Sequence, residues 1–172
     1  MNPENRIDPE QKSYRQLLMF GKNGCEEENM TTTAISRMEN GKKASETIRE
    51  KIRQAGGSVI VTFLQGNKHH ITIKDGKIFC TDARFPLLSF ELFDEIVEFL
   101  CKSGGKAKKG NGRSRIGSDK CKKGTVSYCI ATSPSGMAKE PGESAKDPIS
   151  LVAAILDWAG IARNIKRYLE LV

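Results

Sequence analysis

The chain has 172 residues, 38% of them hydrophobic, and a formal net charge of +7. That length fits one domain, and the hydrophobic fraction is above that of chains too polar to fold. No apolar run reaches the ~18 residues of a membrane span, and the polar start MNPENRIDPEQK has no apolar signal region. A cytoplasmic protein with no membrane partner is therefore expected.

There are five cysteines (Cys25, Cys80, Cys101, Cys121 and Cys129), an odd number with no CxxC pair. The only histidines, His69 and His70, are adjacent, and neighbouring side chains on a strand point to opposite faces. No metal and no cofactor is expected. The thiols read as reduced, small hydrophobic side chains.

In chain order, residues 1–30 form an N-terminal arm, where Tyr14, Leu17, Leu18 and Phe20 suit a short docking helix and Glu26, Glu27 and Glu28 make a solvated acidic patch. Residues 31–172 form a single α+β domain. Within it, ISRMENGKKAS (35–45) resembles the end of a repressor-type helix-turn-helix, whose pattern runs I-S-x-I-E-N-G-x-x-x-S. The stretch before it, CEEENMTTT, lacks the small residue and turn glycine of that motif, and a short helix ending at Gly41 accounts for the same residues.

Ser45 is a candidate cap for a helix to about Ala55, with Ile48, Ile52 and Ala55 on one face. Gly56-Gly57 ends it. SVIVTFL, HHITIK and KIFCTD then read as three strands, the last two joined by Asp75-Gly76, a type I′ hairpin signal. Residues 58–82 are thus a three-stranded antiparallel meander. After Pro86, Ser89 caps a helix with an apolar stripe of Phe90, Phe93, Ile96, Val97 and Leu100. Gly104-Gly105 stops it.

Beyond the basic segment considered below, GTVSYCIAT (124–132) reads as a fourth strand, because Val126, Tyr128 and Ile130 alternate with smaller residues. Residues 133–146 are rich in Pro, Gly and Ser and form a loop. Asp147 caps a helix with Pro148 at its first position. Residues 149–159 are apolar nearly all round, which buries that helix in the core or at an interface; a homodimer through helix 148–159 is the corresponding expectation. RNIKRYLELV is a last short helix or strand. The predicted fold class is α+β, a three-stranded antiparallel meander plus a fourth strand, packed by helices in the order αβββα-loop-βα.

Two nucleic-acid architectures share much of this order. The double-stranded-RNA-binding domain runs αβββα, but it places lysines at the start of its second helix, and here that helix begins FPLLSFELFDE. The restriction-nuclease core runs αβββαβ and needs carboxylates for Mg²⁺ together with a lysine. Asp75-Gly76-Lys77 has the D-x-K spacing, with Glu46 or Glu50 as a helix carboxylate and Glu140, Glu143 and Asp147 as a second set. The hairpin turn explains Asp75-Gly76 equally well. No serine or cysteine has a base in a recognisable signature; Cys80 is nearest the histidines. No catalytic residue is assigned.

The charge is concentrated in CKSGGKAKKGNGRSRIGSDKCKK. From Lys102 to Lys123 nine basic residues face one acid, Asp119, a local +8 that leaves −1 for the rest of the chain. Glycines at 104, 105, 110, 112 and 117 permit close approach of the backbone to a ligand. No G-K-[ST] follows them, so this is not a Walker loop. No aromatic residue lies between Phe99 and Tyr128, which favours phosphate contact over base stacking. The expected function is a non-enzymatic nucleic-acid-binding protein, for DNA rather than RNA. Its contact would be this basic glycine-rich loop (102–123), through Lys106, Lys108, Lys109, Asn111, Arg113, Arg115, Lys120, Lys122 and Lys123. The alternative partner is an acidic protein surface, as for a phage-type inhibitor of a host nucleic-acid-dependent defence complex. A Mg²⁺-dependent nuclease is a second alternative.

Overall fold

The computed structural model describes residues 41–111, 113–144 and 146–172. The N-terminal arm, the acidic patch, Cys25 and the helix-turn-helix-like stretch up to Asn40 lie outside the described residues. The elements are α1 (Ala44–Gln54), β1 (Ser58–Thr62), β2 (Lys68–Lys74), β3 (Lys77–Cys80), α2 (Glu91–Lys102), β4 (Lys106–Lys108), α3 (Val126–Thr132), α4 (Ile149–Trp158), β5 (Ala162–Asn164) and β6 (Tyr168–Leu171).

The α+β class and the meander stand as expected. β1, β2 and β3 pair antiparallel in sequence order, with Val59 opposite Ile71 and Ile73 opposite Ile78. The β2–β3 turn has Asp75 at φ 50° and Gly76 at φ 73°, the two positive values a type I′ turn requires. One sheet face buries Val59, Val61, Ile71, Ile78 and Cys80. The ladder is extended at the β3 edge by reciprocal backbone bonds between Ile78 and Leu88.

Helix α1 buries Ala44, Ile48 and Ile52, the last two as the sequence periodicity indicates. Ser45 lies inside its first turn and does not cap it. Its N–H and Oγ donate to the Asp94 carboxylate of α2, at 2.8 and 2.7 Å. An acid from a neighbouring helix therefore satisfies one orphan N–H at the α1 N-terminus. In α2, the Ser89 hydroxyl accepts the Leu92 N–H at 3.3 Å, as its capping role requires, and donates to the Ser135 carbonyl at 2.9 Å.

The segment 124–132 is not a strand. It forms α3, whose N-terminus is capped by Thr125 Oγ1 accepting from Tyr128 N. Val126 and Ile130 alternate with Tyr128 at a period of two, but they are also four residues apart, and both are buried while Tyr128 is half-buried. The cap and the i, i+4 pair outweigh the β-branched composition.

The fourth strand among the described residues is instead β4, inside the basic segment. It belongs to a second antiparallel sheet, ordered β4-β6-β5. The C-terminal RNIKRYLELV supplies most of this sheet as strand. The element order is thus αβββαβ-loop-ααββ. The first six elements match the order of the nuclease-type core, but β4 pairs with β6 and not with the meander.

Helix α4 buries every residue from Leu151 to Leu156 within the chain's own core. The all-round apolar character that suggested a homodimer is met by intramolecular packing. Pro148 occupies the N-cap position and not the first helical one, and the Asp147 carboxylate accepts the Ile149 N–H at 3.0 Å. Lys51 Nζ donates to the Ala159 carbonyl at 2.7 Å and so closes the other end. No described helix is long and apolar enough to cross a membrane.

Cys80, Cys101, Cys121 and Cys129 are unbridged thiols. Burial is the leading cause that raises each of their pKa values, and it pushes Cys129 up to about 11. Thiolate is the reactive form. Alkylation of the native protein at pH 8 is therefore expected to leave these four cysteines unmodified, with all four labelling in denaturant, as read by peptide mass mapping. Their folded pKa values lie above the unfolded ones. Their contribution to stability is complete below the unfolded thiol pKa, near 9, and is lost as pH rises towards the folded values.

Candidate nucleic-acid interface

The basic segment is held by a framework of its own. β4 leads into it: Lys106 and Lys108 face solvent while Ala107 is buried. Lys109 N donates to Arg167 O at 2.9 Å, and Ser127 N donates to Lys109 O at 2.8 Å, tying the strand exit to both the β5–β6 turn and α3. Further on, Asn111 N donates to Lys120 O, Gly117 N to Cys121 O and Cys121 N to Ser118 O, all within 2.9 Å. Ile116 exchanges backbone bonds with the 142–143 turn. Ile116 and Cys121 are buried and form a small second core with Ala131 and the half-buried Tyr128. The loop read from the sequence is therefore a hydrogen-bonded structure between β4 and α3.

The structure sorts the predicted contact residues into two groups. Lys108, Arg113, Arg115, Lys120, Lys122 and Lys123 are exposed, and among the described residues none has a carboxylate within ion-pair distance. The others are engaged. Lys106 pairs with Glu170 at 3.4 Å and lies over the Tyr168 ring. Lys109 Nζ donates to Asn164 Oδ1 at 2.6 Å, and burial pulls its pKa down, opposed by Asp157. Lys109 thus pins β5 to the segment. The Asn111 side chain accepts the Arg113 N–H at 3.1 Å, the role of a turn residue.

The fold adds cations that sequence reasoning missed. The β5–β6 turn carries exposed Lys166 and Arg167, and its backbone is bonded directly to Lys109. The signal was present in RNIKR, three cations with no acid, but nothing local ties it to a segment over forty residues away.

Three of the carboxylates considered for catalysis, Asp75, Glu143 and Asp147, have structural positions. Asp75 sits at an exposed hairpin tip. Glu143 accepts from Glu140 N at 2.7 Å and from Lys139 at 3.1 Å, which lowers its pKa. Asp147 caps α4. Among the described residues no group of three or more His, Cys, Asp or Glu is placed to hold a metal ion. His69 stacks on Phe63 with centroids 4.1 Å apart, and its Nδ1 lies 3.6 Å from Asp82. Asp82 is itself held by Arg84 at 2.6 Å, whose hydrogen bonds draw its pKa down to about 2. Cys80 is buried with a raised pKa, so it is no ready nucleophile for this histidine.

No protein family, curated protein or solved structure was found to match the chain.

Proposed function

We propose that the protein binds nucleic acid, duplex DNA first among them, by phosphate contacts from the 106–123 segment and the adjoining β5–β6 turn. The observation that carries this is the set of six exposed cations, Lys108, Arg113, Arg115, Lys120, Lys122 and Lys123, without carboxylate partners among the described residues and mounted on a hydrogen-bonded frame. Cations without carboxylate partners are available to a phosphate backbone, and a hydrogen-bonded main chain spares the backbone part of the ordering cost. The segment has no aromatic side chain for stacking, and two of these six cations, Arg113 and Arg115, are arginines, suited to bidentate phosphate contact.

The test is a salt series of duplex binding by fluorescence anisotropy. Six phosphate contacts predict an affinity loss of about a thousandfold between roughly 50 and 200 mM salt. Replacing Lys108, Arg113, Arg115 and Lys120 together by glutamine is expected to reduce the slope of log K against log salt by about 3–4 units. Equal duplex binding by the wild type and this variant would overturn the proposal. Capture of an acidic protein from nuclease-treated extract, without duplex affinity, would assign the patch to a protein partner instead.

A further inference from the structure

The meander has a second, open face. Because paired residues share a face, the register puts Ile60 with His70, Thr72 with Phe79, and Lys74 with Lys77 on the side opposite the buried core. Ile60 is 48% exposed and His70 is exposed; Phe79 is half-buried. Beside the β3 edge, Leu87 is 46% exposed, next to the Leu88 bridge. Lys68 stands at one end of β2 and Lys74 at the other, roughly 20 Å apart at strand rise. Lys77 adjoins Lys74. No strand residue on this face is acidic; the nearest acid in sequence is Asp75, at the hairpin tip.

Rings and cations stand side by side here. Lys74 Nζ lies 5.5 Å from the centroid of the Phe79 ring. His70 and Phe79 are diagonal neighbours on adjacent strands. A half-apolar sheet surface with an exposed imidazole, a half-buried phenyl ring and flanking lysines offers planar bases a stacking platform and offers phosphates counter-charges. The 106–123 segment has the charge but lacks the rings.

We infer that this open face is a binding surface for single-stranded nucleic acid, on which bases stack against Phe79 and His70 while Lys68, Lys74 and Lys77 meet the backbone. The inference is independent of the duplex contact proposed above, since it uses different residues and a different mode of contact. Charge complementarity and the two rings select this occupant over an apolar protein segment, which would cover three lysines without supplying a counter-charge.

The experiment measures binding of a labelled oligo(dT) and a labelled oligo(U) by anisotropy, using the full chain, alongside a duplex of the same length. Phe79→Ala combined with His70→Ala is expected to weaken single-strand binding by about tenfold or more, with duplex affinity unchanged. Because Phe79 is half-buried, a second variant with the exposed Lys68, Lys74 and Lys77 all changed to glutamine tests the face without truncating a buried side chain. It should lower both single-strand affinity and its salt slope. The four-residue loop variant should lose duplex affinity and keep the ring-dependent part of single-strand binding. Undetectable single-strand binding, unchanged binding in both sheet variants, or equal losses for single strand and duplex would each overturn the inference.

Discussion

Changing Ile155 to alanine is expected to remove about 3–4 kcal/mol of folding free energy, within the usual range for a buried Ile→Ala. Ile155 is fully buried in the centre of α4, which packs against β1, β5 and α3. Truncation removes three buried carbons and leaves a cavity in the main core. Domains of this size are stable by only about 5–15 kcal/mol, so the change is a large fraction of the total. A drop in Tm of about 10 °C should accompany it. Urea unfolding followed by circular dichroism checks the value. The comparison is Ile60→Ala on the open sheet face, which should fall within about 0.5 kcal/mol of the wild type. A loss under about 1 kcal/mol at Ile155 would show that α4 is not the packed centre of the fold.

The second large effect is expected from Gly110→Ala. Gly110 sits at φ +78°, and an added Cβ would lie 2.8 Å from Thr125 Oγ1, 2.9 Å from Thr125 Cβ and 3.2 Å from Ser127 Cβ. Left-handed backbone costs a non-glycine residue about 1 kcal/mol, and the overpacking adds about 1–3 kcal/mol. Thr125 has little room to yield. Its Oγ1 accepts the Tyr128 N–H that caps α3 and donates to Lys122 O at 2.9 Å. The substitution therefore disturbs both the α3 cap and the seat of the basic segment without changing any charge. Stability should fall by about 2–4 kcal/mol, and the salt slope of duplex binding should become shallower as the cations lose their fixed spacing. Gly124→Ala is the matched comparison: it has a positive φ but open space around the new Cβ, so it should cost only about 1 kcal/mol. Unchanged stability and salt slope in Gly110→Ala would mean that the cations act as an unstructured chain.

The parts of the fold that could be read in advance are those decided by neighbours in the chain. The β2–β3 hairpin needs only Asp75-Gly76 between alternating strands, and the turn adopts the backbone angles that dipeptide favours. Helix α2 has a serine cap and a stripe of spacing 3.6. The segment 124–132 shows where this fails. Val126, Tyr128 and Ile130 satisfy a period of two, while Val126 and Ile130 also satisfy i, i+4, so three residues did not separate the alternatives. Ser45 was a reasonable cap by type, yet Asp94, 49 residues away, satisfies that helix start.

The basic segment shows the same division at the candidate site. That the charge is local, +8 against −1 elsewhere, is a property of the sequence alone, as is the absence of aromatics within it. Which of its cations stand free was decided by the tertiary structure. β4 has three residues, too few for any periodicity, and it exists because β6 pairs with it from about 60 residues further on. That pairing brings Glu170 to the still exposed Lys106 and Asn164 to the half-buried Lys109, giving both lysines partners within the chain, and it brings Lys166 and Arg167 to the same side. Charge is a sum over the chain, whereas its availability depends on desolvation and on partners that only long-range packing supplies.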